Sequence, residues 1–211
     1  MNEARARERL VEIGAALYDR GYTHGSTGNL SVQVDGGWLI TPTNSCLGRL
    51  DPARISRMST TGEHLGGDPP SKEAFLHLAM YQERPNMRAV VHLHATWSVA
   101  VSVLQGVDPA DVLPPLTAYY AMRVGKLPLV PYHPPGDKTL AEAVRAYAGK
   151  HHALLLANHG PVVGASSLDA AADAAEELEQ TAKLYLLLGD RSVRCLDAQQ
   201  VGELQGRYGM P

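Results

Sequence analysis

Two histidines, His92 and His94, lie one residue apart in the apolar stretch VVHLHATW. Residues i and i+2 of a β-strand point to the same face, so we expect the two imidazoles to lie side by side. Such a pair consists either of core side chains with satisfied ring nitrogens or of the first two ligands of a metal site, since neutral imidazole is a common metal ligand. The pair alone favours the core interpretation.

A third histidine, His159, ends another apolar run in the segment ANHG, between the turn residues Asn158 and Gly160. Three histidines at strand ends match a catalytic zinc site, which has three protein ligands and one open position. Imidazole suits Zn²⁺ and other late divalent ions better than Mg²⁺ or Ca²⁺. We therefore predict one Zn²⁺, or another divalent transition metal, per subunit, bound by His92, His94 and His159.

Glu73 lies at the start of a helix predicted over residues 72–83, with Ser71 as its cap. The helix dipole favours an acid in the first turn, and this structural role is sufficient to explain Glu73. As a functional residue, its carboxylate would fill the open metal position or act as a general acid or base beside it. His77, four residues later, is expected to be a packing residue or a partner on the helix face, and not a ligand.

Three turn-rich segments could hold an anion, namely STGNLS (26–31), TPTNSC (41–46) and PSKE (70–73). They supply small hydroxyl and amide side chains, together with free backbone N–H groups near Gly28 and at the helix start. Lys72 adds a positive charge that suits phosphate. Each segment alone is more typical of an ordinary loop, so the prediction of a phosphate site depends on the three acting together.

The composition of the 211 residues limits the remaining classes of function. A net charge of −3 leaves no basic footprint for nucleic acid or for an anionic membrane. The two cysteines, Cys46 and Cys195, form no disulfide or zinc-ribbon pattern. The first residues do not resemble a signal peptide, and no apolar run approaches the ~20 residues of a membrane span. We expect a cytoplasmic protein with one domain over residues 1–211.

The hydrophobic pattern predicts the elements that must position these residues. We expect helices over residues 3–19, 96–104 and 137–148 and between Ser167 and Gly189, with a weaker helix in the tail. A hairpin is predicted around residues 35–37, and strands are predicted at 87–95 and on both sides of residues 158–161. Hairpins and crossovers alternate with helices, which predicts a three-layer α/β/α sandwich around a central mixed sheet.

Taken together, these segments of the sequence resemble a known family. The segments GSTGNLS, WLITPTNSCLGRLDP, SKEAFLHLAMYQERP, AVVHLHATWSVAVS and ALLLANHGPVVGA are similar, in that order, to the motifs of the class II aldolase/adducin family. The resemblance covers nearly the whole chain and implies a mostly antiparallel central sheet. Three segments, around TPTN, LPPLTAYYAMRVG and LLANHGPVV, are most similar to the branch of 3-oxo-tetronate 4-phosphate decarboxylases.

The resemblance implies roles for individual residues. It makes His92, His94 and His159 the zinc ligands and Glu73 the catalytic carboxylate, which also occupies the resting metal. The phosphate site that it implies is lined by Gly28, Asn29, Thr43, Asn44, Ser71 and Lys72. Asn44 and Lys72 stand where the aldolases have glycine and serine, and both match the decarboxylase branch.

The resemblance also implies a homotetramer with active sites between subunits. Tyr119 aligns with a tyrosine that, in the aldolase, reaches the site from a neighbouring subunit, and Tyr120 takes this role if the register shifts by one residue. Arg123 either steers a substrate carboxylate or forms a structural salt bridge.

The activity that the resemblance implies is zinc-dependent decarboxylation of a 3-oxo-tetronate 4-phosphate, a small phosphorylated sugar acid, to dihydroxyacetone phosphate and CO₂. Two enzymatic alternatives share the same site residues, a fuculose-phosphate type aldolase and a ribulose-phosphate 4-epimerase. A non-enzymatic alternative is an adducin-like interaction module, which would not need to keep a metal site.

Overall fold

The structure is a computed structural model that describes residues 2–134 and 136–208. Its centre is one eight-stranded sheet. The strands are β1 (Asn29–Val34), β2 (Gly37–Ile40), β3 (Ser56–Met58), β4 (His64–Gly66), β5 (Ala89–His92), β6 (Leu129–Val130), β7 (Ala153–Leu156) and β8 (Gly160–Ala165). Their order is β4-β3-β2-β1-β5-β8-β7-β6, and only the β6–β7 pair is parallel. The predicted mixed, mostly antiparallel sheet is confirmed.

Helices cover both faces of this sheet. They are α1 (Glu3–Asp19), α2 (Ala74–Glu83), α3 (Thr96–Ser102), α4 (Ala118–Arg123), α5 (Thr139–Ala148), α6 (Leu168–Leu188) and α7 (Ala198–Tyr208), with short 3₁₀ turns at Leu47–Arg49 and Pro52–Arg54. Helices α2 and α5 pack on one face, whereas α1, α3 and α6 pack on the other. The predicted three-layer arrangement is therefore confirmed. No helix in the described ranges is both long and apolar enough to cross a membrane.

Strand β5 lies at the centre of the sheet and is buried on both faces. Val91 contributes to the core cluster that contains Leu10 of α1 and Leu178 of α6. Its neighbour Val90 contributes to the opposite cluster, with Met80 of α2. His92 follows at the end of the strand, and strand alternation places it on the same face as Val90, beneath α2.

Several predicted elements are confirmed almost to the residue. Helix α1 covers residues 3–19, the β1–β2 hairpin turns at residues 35–36, and Ser167 caps α6, which ends before Gly189 at φ 54°. Three predicted helices are too long. The helix predicted over 72–83 begins at Ala74, that over 96–104 ends at Ser102, and that over 137–148 begins at Thr139.

The predicted cap of α2 was also wrong. Glu73 occupies the cap position, and the Ser71 hydroxyl accepts a hydrogen bond from the Glu73 backbone N–H at 3.2 Å. Ser71 therefore shapes the turn that leads into α2 without capping the helix itself. This shift moves Glu73 out of the first helical turn and into the loop.

Candidate metal centre

Three imidazoles converge at the end of the central strands. The Nε2 atoms of His92 and His94 are 3.2 Å apart, those of His92 and His159 3.3 Å, and those of His94 and His159 3.1 Å. The three rings meet edge to face, at interplanar angles of 63–89°. The structure thus brings together the three histidines that the sequence singled out.

Each histidine reaches this point from a different local structure. His92 is the last residue of β5, and His94 lies two residues beyond the strand. His159 lies in the tight turn between β7 and β8, where Asn158 adopts a positive φ of 57°. Gly160 follows, and a Cβ atom there would lie 2.2 Å from the carbonyl oxygen of Leu93. Only glycine allows this close approach, which holds His159 against the end of β5.

The ring of His92 is oriented by the neighbouring strand. Its Nδ1 lies 2.8 Å from the carbonyl oxygen of Pro161, which can only accept a hydrogen bond. Nδ1 therefore carries a proton, and in the neutral ring the lone pair is on Nε2, which points toward the other two histidines. An outer hydrogen bond of this kind is the usual orienting partner of a metal-binding histidine.

Glu73 completes the cluster from the loop that leads into α2. Its Oε2 lies 3.3 Å from Nε2 of His92, and its Oε1 lies 3.1 Å from Nε2 of His159. The side chain is buried, and Oε1 has no hydrogen-bond partner among the residues that the structure describes. A buried carboxylate oxygen that faces three imidazole nitrogens needs a positive charge nearby.

The donor set fits a divalent metal ion. All four donor atoms lie within 4.8 Å of one another. A tetrahedral ion with Zn–N distances of about 2.0–2.1 Å requires ligand nitrogens about 3.3 Å apart, and the observed spacings of 3.1–3.3 Å meet this requirement. A His₃ set with one carboxylate is consistent with Zn²⁺ and with other divalent transition metals.

The electrostatics favour a positive charge at the same point. Burial raises the pKa of the Glu73 carboxyl, but His92 and His159 outweigh it and hold that pKa well below its ordinary value. Burial lowers the pKa of His92, but the Glu73 carboxylate outweighs it and raises that pKa. Burial and the two neighbouring histidines lower the pKa of His94 to about 3. Carboxylate and imidazole bind a metal ion in their deprotonated forms, so a divalent ion would replace the proton that Glu73 favours on His92.

A cavity of about 290 Å³ opens beside the cluster. Glu73 and His94 form part of its wall. The six residues predicted to bind phosphate line the same cavity, namely Gly28, Asn29, Thr43, Asn44, Ser71 and Lys72. The three turn-rich segments singled out by the sequence therefore meet in one place, next to the candidate metal centre.

Backbone contacts hold these segments together. The N–H of Thr43 donates to the carbonyl oxygen of Pro69 at 2.9 Å, and the N–H of Ser71 donates to that of Thr41 at 3.3 Å. Gly28 has a φ of 76°, and a Cβ atom there would lie 2.9 Å from the carbonyl oxygen of His92. The first segment is thus packed directly against the end of β5.

The six cavity residues differ in what their side chains contact. Asn29 is buried, and its Nδ2 donates to Oε2 of Glu73 at 2.8 Å. Lys72 and Asn44 are exposed, and Asn44 adopts a positive φ of 56°. The structure therefore couples Asn29 to the carboxylate and leaves the lysine free to reach a ligand from solvent.

Tyr119 and Tyr120 lie on α4 and have opposite environments. Tyr119 is 59% exposed and stacks against the guanidinium of Arg123, whereas Tyr120 is 1% exposed. Neither residue lines the cavity beside the cluster. Arg123 also forms an ion pair with Asp173 at 3.3 Å, in agreement with the structural reading of this arginine.

Glu179 is a buried acid on α6 to which the sequence pattern assigned no role. Its carboxylate accepts hydrogen bonds from the backbone N–H groups of Trp97 and Ser98, both at 2.8 Å. These donors are at the N-terminus of α3, which begins two residues after His94, so Glu179 fixes the segment that carries this histidine. The signal in the sequence was an acid next to Leu178 on the apolar face of an Ala-rich helix.

The chain is similar to a known family and to several known proteins. Residues 8–186 match the family described as Class II Aldolase and Adducin N-terminal domain. A 3-oxo-tetronate 4-phosphate decarboxylase of Escherichia coli K12 is 52% identical over 204 residues, which cover 96% of each chain. An L-fuculose phosphate aldolase of the same organism is 33% identical over 88% of this chain and 85% of that protein.

Among solved structures, YgbL from Klebsiella pneumoniae superposes with a TM-score of 0.94 at 49% identity and covers 97% of this chain and 99% of that one. The family match extends over most of the chain and includes Glu73 and all three histidines of the cluster. The chain therefore belongs to the class II aldolase/adducin family.

Proposed function

We propose that this protein is a metal-dependent carboxy-lyase that converts a 3-oxo-tetronate 4-phosphate to dihydroxyacetone phosphate and CO₂. The observation that carries the proposal is that Glu73 and His94 line the same cavity as the six candidate phosphate-binding residues. The similarity to decarboxylases, higher than that to the aldolase, supports this substrate class.

His92, His94, His159 and Glu73 would hold one divalent ion, which we propose to be Zn²⁺. When bound, such an ion supplies a Lewis acid that stabilises negative charge developing on substrate oxygens. Glu73, His92 and His159 are buried and His94 is partly buried, so the proposed ligands are held in place before the substrate arrives and little reorganisation is needed during the reaction.

The substrate is a β-keto acid with a carboxylate, a C2 hydroxyl, a C3 carbonyl and a C4 phosphate. Cleavage of the C1–C2 bond releases CO₂ and leaves the bonding electron pair on the remaining fragment as an enediolate. Addition of a proton at C2 then gives dihydroxyacetone phosphate. Glu73 is the candidate for moving this proton in its own subunit, because its carboxyl group lies where the cavity meets the histidines.

The phosphate end would be held by the loops on the other side of the cavity. Lys72 supplies the charge, while Ser71 and Thr43 supply hydroxyl groups. Gly28, Asn29 and Asn44 complete the wall. Binding energy from this remote group would orient the reacting carbon atoms at the metal centre.

We further propose a homotetramer in which Tyr119 reaches the site of a neighbouring subunit as a second candidate proton donor. Its high exposure and its absence from the cavity wall of its own chain support this role over one for Tyr120, which is buried.

The decisive test is the reaction itself. Protein loaded with Zn²⁺ should release CO₂ and dihydroxyacetone phosphate from a 3-oxo-tetronate 4-phosphate, measured by coupled assay. Release of an aldehyde from L-fuculose 1-phosphate, without decarboxylation of the first substrate, would assign the protein to the aldolases instead. An interaction module would bind no metal and turn over neither substrate.

Glu73→Gln is the matched variant for this assay. It keeps the shape of the side chain and removes its charge and basicity, so we expect kcat to fall at least about 100-fold while the fold is kept. Circular dichroism and the thermal midpoint provide the control. An unchanged kcat would remove Glu73 from the mechanism.

A further inference from the structure

A chain of four buried polar side chains leads away from Glu73 into the layer between β1 and α2. Glu73 Oε2 accepts from Nδ2 of Asn29 at 2.8 Å, and Oδ1 of Asn29 lies 2.5 Å from Nε2 of His77. Nδ1 of His77 lies 2.7 Å from the Ser31 hydroxyl, which is 2.6 Å from the hydroxyl of Tyr81. All four side chains are buried, so their hydrogen bonds are made to one another instead of to water.

The direction of every hydrogen bond in this chain follows from the carboxylate. An ionised carboxylate can only accept, so the amide nitrogen of Asn29 must face Glu73 and its carbonyl oxygen must face His77. That oxygen can only accept, so Nε2 of His77 must carry a proton. A neutral imidazole has one donor and one acceptor, so Nδ1 accepts from Ser31, and Ser31 in turn accepts from Tyr81.

His77 has the properties that this arrangement requires. The ring is fully buried, and burial lowers its pKa to about 3, so it is neutral at physiological pH. Neutral histidine has two tautomers, and the carbonyl oxygen of Asn29 requires the one with the proton on Nε2. The Ser31 hydroxyl donates to Nδ1 and stabilises this tautomer, and with it the amide orientation of Asn29, from the side remote from the metal centre.

We propose that Tyr81, Ser31 and His77 are positioning residues that act through Asn29 to orient the Glu73 carboxylate toward the three histidines. This inference rests on the proposed metal centre and extends it to residues that touch neither metal nor substrate. If the tautomer of His77 reversed, the Asn29 amide would turn over and direct its carbonyl oxygen at the carboxylate. Two acceptors would then face each other in a buried site, and Glu73 would move away.

The tautomer can be observed directly, without metal or substrate. Long-range ¹H–¹⁵N correlation spectra of protein labelled at histidine distinguish a protonated ring nitrogen from an unprotonated one. At neutral pH we expect His77 as the neutral form with the proton on Nε2. A proton on Nδ1, or a doubly protonated ring, would overturn the proposal.

The second measurement is metal affinity, determined by competition between the protein and a chromophoric chelator for Co²⁺. Ser31→Ala removes one oxygen atom and, with it, the hydroxyl that donates to Nδ1 of His77. Breaking such outer hydrogen bonds typically weakens metal binding 10- to 100-fold. We expect a smaller loss here, about 5- to 10-fold, because two residues, His77 and Asn29, lie between Ser31 and Glu73. Ser56→Ala is the matched control, since Ser56 is an equally buried serine on strand β3 whose hydroxyl donates to the backbone carbonyl oxygen of Asp68.

A double-mutant cycle separates positioning from general loosening of the fold. In a Glu73→Ala background the hydrogen-bonded side chains have no carboxylate to orient, so Ser31→Ala should change Co²⁺ affinity by less than about twofold. An equal loss in both backgrounds would overturn the proposal. If Ser31→Ala behaves like Ser56→Ala while the unsubstituted protein binds Co²⁺, only the positioning chain fails. Absence of Co²⁺ binding by the unsubstituted protein would overturn the metal centre itself.

Discussion

The two halves of the candidate site are built in different ways. In the metal cluster, Glu73, His92 and His159 are buried, and hydrogen bonds hold the ring of His92 and the carboxylate of Glu73 in place. In the other half, formed by the loops that carry the candidate phosphate-binding residues, Lys72 and Asn44 are exposed. The loops that form the cavity wall are held together mainly by backbone hydrogen bonds. The first half is fixed by side chains and the second by the course of the backbone.

This difference is what the two proposed ligands would require. Metal ligands need fixed positions, because a shift of a few tenths of an ångström breaks the coordination geometry. A phosphate group is larger and accepts hydrogen bonds from many directions, so small polar side chains and one flexible lysine would be sufficient. Substitutions in the two halves should therefore affect different measurements.

The largest effect is expected from His159→Ala. The substitution removes one of three converging imidazoles and leaves Glu73 with fewer partners, so Co²⁺ affinity should fall more than 100-fold. Chelator competition measures the loss. His64→Ala, at an exposed histidine of strand β4, should leave affinity unchanged. Retention of tight binding by His159→Ala would exclude His159 as a ligand.

Gly28→Ala tests the contact between the two halves. A side chain at φ 76° is strained, and its Cβ atom would meet the carbonyl oxygen of His92 at 2.9 Å. We expect the free energy of unfolding to fall by about 2 kcal/mol, measured by urea denaturation. We also expect KM to rise and metal affinity to fall.

Gly25→Ala provides the control for Gly28→Ala. Gly25 also has a positive φ, 55°, but no atom lies within 4 Å of the position of a Cβ atom. Only the backbone strain remains, so the expected loss is about 1 kcal/mol. Equal losses at the two positions would show that the contact with His92 has no energetic consequence.

The most selective effect is expected from Lys72→Met, which should act on substrate binding alone. Loss of one charge-assisted contact to phosphate should raise KM about 10- to 30-fold and leave Co²⁺ affinity within twofold of the original. Steady-state kinetics and chelator competition measure the two effects. Lys150→Met, at an exposed lysine outside the cavity, controls for the change in net charge. A drop in Co²⁺ affinity without a change in KM would contradict the division of the site.

Sequence reasoning succeeded where a local pattern had a direct physical cause. The spacing of His92 and His94 predicted two neighbouring rings, and the rings do lie together although β5 ends at His92, short of the predicted strand at 87–95. The turn residues beside His159 placed a third ring at a strand end. It failed at the start of α2, where Ser71 resembled a helix cap but bonds to the backbone of Glu73 in the preceding turn. A cap and a turn of this type use the same residue with the same hydroxyl chemistry.

The sequence also could not reveal the role of His77. Its position four residues after Glu73 predicted a packing residue or a partner on the helix face, but its hydrogen bonds are to Asn29 and Ser31 on strand β1. These residues are more than 40 positions away in the chain. Only the packing of α2 on the sheet brings them together.

The sequence by itself determined which donors this protein carries and which elements hold them, because residue type sets ligand chemistry and hydrophobic periodicity sets secondary structure. The tertiary structure decided that the three imidazoles lie 3.1–3.3 Å apart, that Glu73 faces them and that the loop residues share their cavity. These distances depend on contacts between distant segments, such as Gly160 against Leu93 and Gly28 against His92. Such contacts arise only when the sheet is assembled.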